Sequence, residues 1–550
     1  MPQQALKMRH GGRILADALV AQGVTMAFGV PGESFLPLLD GLHDVRDKLA
    51  FISCRQEGGA AYMADAYGKL TGRPGVLMVT RGPGATNGAV GVHTAYQDST
   101  PLLVLIGQVG NEMAEREAFQ EIDYRRMYGP LAKWVAQIDR IERIPEFISR
   151  AFHTAMAGRP GPVVLALPED VLFAESAVAD VGRHRVAQPA PTAQAMQQLV
   201  DMLQAAQQPL VILGGSGWTR EARKRLQGWA EANGLPVCTS FRRQDLMDAG
   251  SHAYVGDMGI AINPRLAERI RQSDVLLVVG ARLGEMATQG YTLLDIPQPR
   301  QRLVHVQAGA EELGKVYLPE LAINAGYPEF VEALVSTPLR AHPRWAAQTA
   351  AARADYTEWG RPRPMPGPVQ YGEIVRWLSD HLPDDAVITT GAGNFTGWVH
   401  RHFACTGSRT QLAPTNGSMG YSFCSALAAK LTAPERTVVA VCGDGDFLMN
   451  GQEIATAVQH GAAFVAIVVN NGIYGSIRMH QERHYPGRVI GTALHNPDFA
   501  AYARAFGAHG ETVQRTEDFA AAYERARSAG KPALVELRID PEAIIPSSAT

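Results

Sequence analysis

The residues best placed to do chemistry form two short runs, Gly443-Asp444-Gly445 and Asn470-Asn471, separated by residues 446–469. Each follows an apolar run, Thr437–Cys442 and Ala463–Val469. Both therefore fall at the carboxyl ends of adjacent strands, where open parallel sheets bind ligands. Asp444 offers a hard oxygen ligand suited to magnesium, and Asn471 a neutral oxygen from the next strand. Two diphosphate oxygens, a backbone carbonyl and water would complete six oxygens at about 2.1 Å. Gly443 and Gly445 let the backbone turn tightly and approach phosphate oxygens. Either run alone would read as an ordinary turn; the fixed spacing of the two points to a diphosphate–magnesium site. A second candidate is Glu57, in Arg55-Gln56-Glu57-Gly58-Gly59-Ala60-Ala61. Standing alone it reads as a first-turn glutamate stabilised by the helix dipole.

Positioning such groups takes strands closed by glycine turns. Short continuous apolar runs of the buried parallel type recur at Gly75–Thr80, Pro101–Ile106, Pro162–Leu167, Pro209–Leu213, Asp274–Val279, Arg302–Val306, Thr437–Cys442 and Ala463–Val469. Alanine-rich helical segments lie between them, which predicts an α/β protein of doubly wound parallel-sheet domains. Residues 169–192 lose periodicity, and residues 341–368 end in the proline-rich stretch Arg361–Pro368. Cutting there predicts an N-terminal domain over 1–175, a central domain over 190–340, a linker over 341–368 and a third domain over 369–550.

The first and third domains echo one another. Val76–Thr80 leads into Gly82-Pro83-Gly84 and Asn87-Gly88, with a helix ending near Thr94-Ala95-Tyr96-Gln97. Val438–Cys442 leads into Gly443-Asp444-Gly445 and Asn450-Gly451, with a helix ending near Thr456-Ala457-Val458-Gln459. An internal duplication is the simplest reading.

The Gly443–Asn471 pattern is similar to the thiamine-diphosphate motif, and nearly the whole chain resembles the acetolactate synthase-like branch of that superfamily. Supporting stretches are Ala27–Glu33, Arg55–Ala61, Gly82–Asn87, Ala118-Phe119-Gln120-Glu121, Arg159–Val163 and Gly417-Ser418-Met419-Gly420-Tyr421; the middle domain matches loosely. The resemblance implies a pyrimidine-binding, a central and a diphosphate-binding domain. It implies a carboligase or decarboxylase of 2-keto acids such as pyruvate, working through a C2 ylide and an enamine.

By the same resemblance Glu57 hydrogen-bonds the cofactor's aminopyrimidine, Met419 props the cofactor into a bent shape, and Gln120 meets a substrate carbonyl or carboxylate. The cofactor site is implied to hold Gly393, Asn394, Phe395, Gly417, Gly443, Asp444, Gly445, Asp446, Phe447, Asn471, Ile473 and Tyr474. Asp444, Asn471 and the Ile473 carbonyl are its implied magnesium ligands; Pro31, Gly32, Glu33, Phe119, Gln120, Ile477 and His480 line the implied substrate pocket. A homodimer or homotetramer is implied, with Glu57 serving a second subunit's site.

Two departures bear on substrate and flavin. FAD-binding acetolactate synthases carry Arg-Phe-Asp-Asp-Arg after a middle-domain strand, and Arg282-Leu283-Gly284-Glu285-Met286 stands here, which argues against FAD. Those enzymes place a tryptophan where this chain has His480. A lyase of 2-hydroxy ketones or 2-hydroxyacyl-CoA esters is therefore an alternative. An inactive cofactor-binding subunit is another, disfavoured because Glu57, Asp444 and Asn471 are all present. A nucleotide binder resting on Gly214-Gly215-Ser216-Gly217 lacks a phosphate-binding lysine.

Composition sets the remaining bounds. Lys plus Arg (51) nearly balance Asp plus Glu (54), which gives no electrostatic reason to expect nucleic acid or an anionic membrane as partner. The five scattered cysteines form no metal-type cluster and suit a reducing compartment. The N-terminus reads as a polar lead-in and an amphipathic helix, not a signal segment, and no apolar run reaches the roughly 18 residues of a membrane span. A soluble, cytoplasmic enzyme is the expectation.

Overall fold

A computed structural model describes residues 7–340, 342–406 and 410–546. Its framework is three six-stranded sheets, each wholly parallel and flanked by helices. Every apolar run named above is a strand, with ends displaced by no more than two residues. These strands are buried along their length, which is why they read as continuous apolar runs and not as alternating ones.

The N-terminal sheet comprises Met26–Gly29, Ala50–Ser53, Gly75–Val79, Leu102–Gln108, Trp134–Gln137 and Pro162–Pro168, in the spatial order 2-1-3-4-6-5. The third sheet comprises Val387–Thr390, Gln411–Leu412, Val438–Gly443, Val465–Asn470, His509–Val513 and Ala533–Arg538, and has the same order. The echo is thus one of topology as well as of sequence. It fails in one place. Pro83–Asp98 is a single helix, whereas its counterpart is broken into Asp444–Phe447, a 3-10 turn at Gly451–Glu453, and Ile454–Gln459.

The central sheet has the order 3-2-1-4-5-6, running Pro209–Leu213, Val237–Thr239, Tyr254–Asp257, Val275–Val279, Arg302–Gln307 and Leu321–Asn324 in the chain. The expected linker 341–368 is largely helix, Pro343–Trp359. Alanine favours helix, Pro343 sits at the first position, and His342 caps the Arg344 amide. Trp345 is fully buried and donates its indole N–H to the Ala206 carbonyl, so this helix is built into the central domain. The proline-rich end alone lacks regular structure.

The chain gathers into two compact units. One takes in the residues up to Ala187 with Leu427–Thr432 and Asn450–His460; the other takes in Gln188–Ala426, Ala433–Met449 and the residues from Gly461. Among the described residues no helix is long and apolar enough to cross a membrane.

Candidate active site

In the first unit the predicted groups gather at the carboxyl edge of the N-terminal sheet. Glu57 opens the helix Glu57–Thr71, just past the strand Ala50–Ser53. Its Oε2 accepts from the Asn87 side-chain amide at 3.0 Å. A Cβ on Gly84 would lie 3.4 Å from Glu57 Oε1, so the Gly82–Asn87 turn wraps the carboxyl group closely. Gly32 precedes the 3-10 turn Glu33–Phe35, and Ser34 exchanges a hydrogen bond with Thr80 at 2.9 Å.

Gln120 lies in the next loop, its carbonyl against Gly82, where a Cβ would come within 2.7 Å. This loop holds Glu115, Glu117 and Gln120 at positive φ. Three non-glycine residues in the left-handed region cost about 1 kcal/mol or more each, and such strain concentrates at ligand-handling loops. Phe119 is 77% exposed, with Arg81 over its ring at 6.0 Å; Pro31 and Glu33 are exposed as well. The Arg81 guanidinium pairs with Glu169 at 3.2 Å.

In the second unit, Gly443 pairs with Val469, so the two motif runs leave the third sheet side by side. Asp444 is 3% exposed. Its Oδ1 accepts the Gly445 amide at 2.9 Å, and its Oδ2 accepts the Gly472 amide at 2.9 Å and the Asn496 side chain at 2.7 Å. Burial pushes its carboxyl above the usual value, against the pull of these donors. Asn471 Oδ1 accepts the Ile473 amide at 3.2 Å, and the Ile473 carbonyl accepts from Gly475 at 3.0 Å, with a second lone pair left.

The donor set fits magnesium held through phosphate. It offers a carboxylate, an amide oxygen and a carbonyl, all hard oxygens, with no thiol or imidazole among the predicted ligands. Among the described residues no cluster of three or more His, Cys, Asp or Glu side chains could hold an ion alone.

Several roles differ from expectation. Gly443 has an ordinary negative φ, and what it needs is room: a Cβ there would meet the Phe395 ring at 2.9 Å. Gly445 likewise makes room for the Tyr474 ring, 2.5 Å from where a Cβ would stand. Phe395 and Phe447 are core side chains, Phe447 against Phe423, Phe499 and Tyr502, which leaves only their backbones to face a ligand.

Asp446 turns to the surrounding loops. It accepts the Gly420 amide at 2.8 Å, the Ser422 hydroxyl at 2.6 Å and the Ala392 amide at 3.3 Å, and burial pushes its carboxyl up to about 6. It thereby ties the Gly391–Phe395 turn and the Gly417–Tyr421 loop, which carries the half-buried Met419, to the Asp444 turn. Asn394 accepts from Ser476 at 2.9 Å.

Beyond Asn471 comes the helix Gly475–His484. Ile477 is 55% exposed, and His480 is exposed and stacked on His484, with ring centroids 6.2 Å apart. Sequence reasoning gave no role to Asn87 or Asn496. Asn87 lies in a quoted motif, whereas nothing at Asn496 signals its bond to Asp444.

The chain is similar to known proteins over nearly its whole length. The chain matches the thiamine pyrophosphate enzyme N-terminal TPP binding domain over residues 9–127, the central domain over 196–334 and the C-terminal TPP binding domain over 391–537. It is similar to the acetolactate synthase isozyme 2 large subunit of Escherichia coli, 30% identical over 96% of each chain. The acetolactate synthase large subunit of Parasynechococcus marenigrum is 32% identical over 94% of this chain and 85% of the relative. That of Corynebacterium glutamicum is 29% identical over 97% and 87%. With relatives aligned over 94–97% of this chain and all three domains matched, the chain belongs to the thiamine pyrophosphate enzyme family, in its acetolactate synthase-like branch.

Proposed function

We propose that this chain is a thiamine-diphosphate- and magnesium-dependent carboligase that joins 2-keto acids such as pyruvate with loss of carbon dioxide. The observation that carries the reading is the desolvated Asp444 carboxylate at one strand end, beside Asn470-Asn471 at the next. Asp444, Asn471 and the Ile473 carbonyl would hold magnesium and, through it, the diphosphate. Thiamine diphosphate, when bound, supplies a carbon nucleophile and an electron sink beside the substrate carbonyl. The chain binds, orients and manages protons. Asn87 occupies Glu57 Oε2, which leaves Oε1 to carry or release a proton. Gln120, held in its strained loop, supplies an amide for a carbonyl or carboxylate oxygen.

Calorimetry on EDTA-treated protein tests the reading. Thiamine diphosphate should bind weakly or not at all until magnesium is restored, and Asp444→Ala should abolish that rescue. Tight metal-independent binding would remove Asp444 from its assigned role.

A second reading, a lyase or carboligase with a polar acceptor, is favoured by His480 in place of the branch's tryptophan. A flat indole contacting one extra methyl group is worth about 1–3 kcal/mol, or roughly 10–200-fold in selectivity. Without it, 2-ketobutyrate should hold no strong advantage over pyruvate in direct competition, and His480→Trp should create one. We also propose a homo-oligomer, because the enzymes this chain resembles join the residue matching Glu57 to a second subunit's diphosphate site.

A further inference from the structure

Glu453 has no part in the cofactor chemistry derived so far, yet its side chain is fully buried at 0% exposure. Its carboxyl group meets two backbone amides and a hydroxyl. The Arg55 amide donates to Oε1 at 3.0 Å and to Oε2 at 3.3 Å, the Gln56 amide donates to Oε1 at 3.0 Å, and the Thr456 hydroxyl donates to Oε2 at 2.6 Å. Burial pushes this carboxyl above its usual value while the donors pull it down. Burying an acid is expensive, and an apolar residue would pack at lower cost unless the amides needed an acceptor.

The amides that Glu453 holds belong to the two residues immediately before Glu57. The segment is tied a second time by the Arg55 guanidinium, which donates to Gln459 at 2.6 Å. Gln56 caps the helix by accepting the Gly59 amide at 3.0 Å. Gly59 is itself constrained, since a Cβ there would stand 3.1 Å from Glu453 Oε1. The backbone is thus pinned just before Glu57, and Asn87 pins the side chain at its tip.

We infer that Glu453 is a positioning residue for Glu57: it sets where the Glu57 main chain begins its helix and therefore how far the carboxyl group reaches. The inference rests on the reading of Glu57 as the proton-handling carboxylate. A shift of about 1 Å in such a group can cost up to 10²-fold in rate, without touching groups that hold the diphosphate.

Glu453→Gln, which keeps the shape but leaves one accepting oxygen where the carboxylate offers two to the Arg55 and Gln56 amides and the Thr456 hydroxyl, is the test. In cofactor-free protein, hydrogen-exchange mass spectrometry over residues 54–58 should show the Arg55 and Gln56 amides exchanging roughly 10-fold faster or more. With magnesium present, thiamine diphosphate affinity should stay within about 3-fold, while deuterium exchange at the bound cofactor's C2, followed by NMR, slows by roughly 10-fold or more. Loosened amides with C2 exchange at the wild-type rate would overturn the inference. Glu57→Gln, measured in parallel, separates the two claims. If it too exchanges at the wild-type rate, the reading of Glu57 falls, and if it alone slows, only the role of Glu453 falls. Should Glu453→Gln not fold, Thr456→Val removes a single donor and should slow C2 exchange by about 2–5-fold, and no slowing there would overturn the inference equally.

Discussion

The Asn87 side-chain amide and the Glu57 carboxyl group meet at 3.0 Å, and this bond decides which oxygen of Glu57 is left for a ligand. Both residues sit where glycine turns bring two helix starts together at the edge of the N-terminal sheet. A hydrogen bond to an ionised group is worth about 1.5–3 kcal/mol. Asn87→Ala should therefore lower turnover by roughly 10–100-fold while leaving thiamine diphosphate affinity unchanged. Steady-state kinetics beside calorimetry checks this, and a variant with full turnover would show that Glu57 needs no such orientation.

Two buried histidines should each cost stability on mild acidification. Burial lowers His400 to about 3 and His402 to about 4, from an ordinary value near 6.5. Protons are then taken up by the unfolded chain first. The stability these groups confer is full above about 6.5 and is lost as pH falls toward 4, by roughly 1.4 kcal/mol per pH unit for each group. The buried acids act oppositely. Burial raises Asp446 to about 6 and Asp257 to about 7, so their contribution is full below about 4 and is lost as pH rises through 6 to 7. Comparing His402→Gln with wild type isolates one group. Urea unfolding at pH 7 and pH 5 should show the variant losing less stability than wild type across that interval, and parallel losses would mean His402 is not held neutral.

Assembly can be tested through complementation. Glu57→Ala and Asp444→Ala proteins should each be inactive. Mixed under conditions of proven subunit exchange, they should regain part of the wild-type activity, because the family resemblance joins Glu57 to a second subunit's diphosphate site. No recovery would place both residues of one centre within one chain.

Much of this arrangement was legible in the sequence, for a simple reason. Strands buried on both faces leave continuous apolar runs, so Val438–Gly443 and Val465–Asn470 announced themselves, and the proposed ligand residues follow directly at their carboxyl ends. Contacts between residues far apart in the chain left no such trace. Asn496 reaches Asp444 from across a loop, and Glu453 meets Arg55 from the far end of the molecule's sequence; neither neighbourhood has a period or a spacing that would betray it. The motif glycines are a similar case. Spacing marks Gly443 and Gly445 as places without a side chain, but only the structure shows that rings of Phe395 and Tyr474 take up the room. The helix at Pro343–Trp359 was hidden by the prolines beyond it, although its alanine content favours helix.

The most direct measurement is product analysis by mass spectrometry after incubating purified protein with pyruvate, thiamine diphosphate and magnesium. Two three-carbon keto acids joined with loss of one carbon dioxide give a five-carbon 2-hydroxy-3-keto acid. That product should form only when both cofactors are present and should be reduced by about 10²–10⁴-fold in Glu57→Gln. Pyruvate returned unchanged, or the same product formed equally well by Glu57→Gln, would contradict the proposed function.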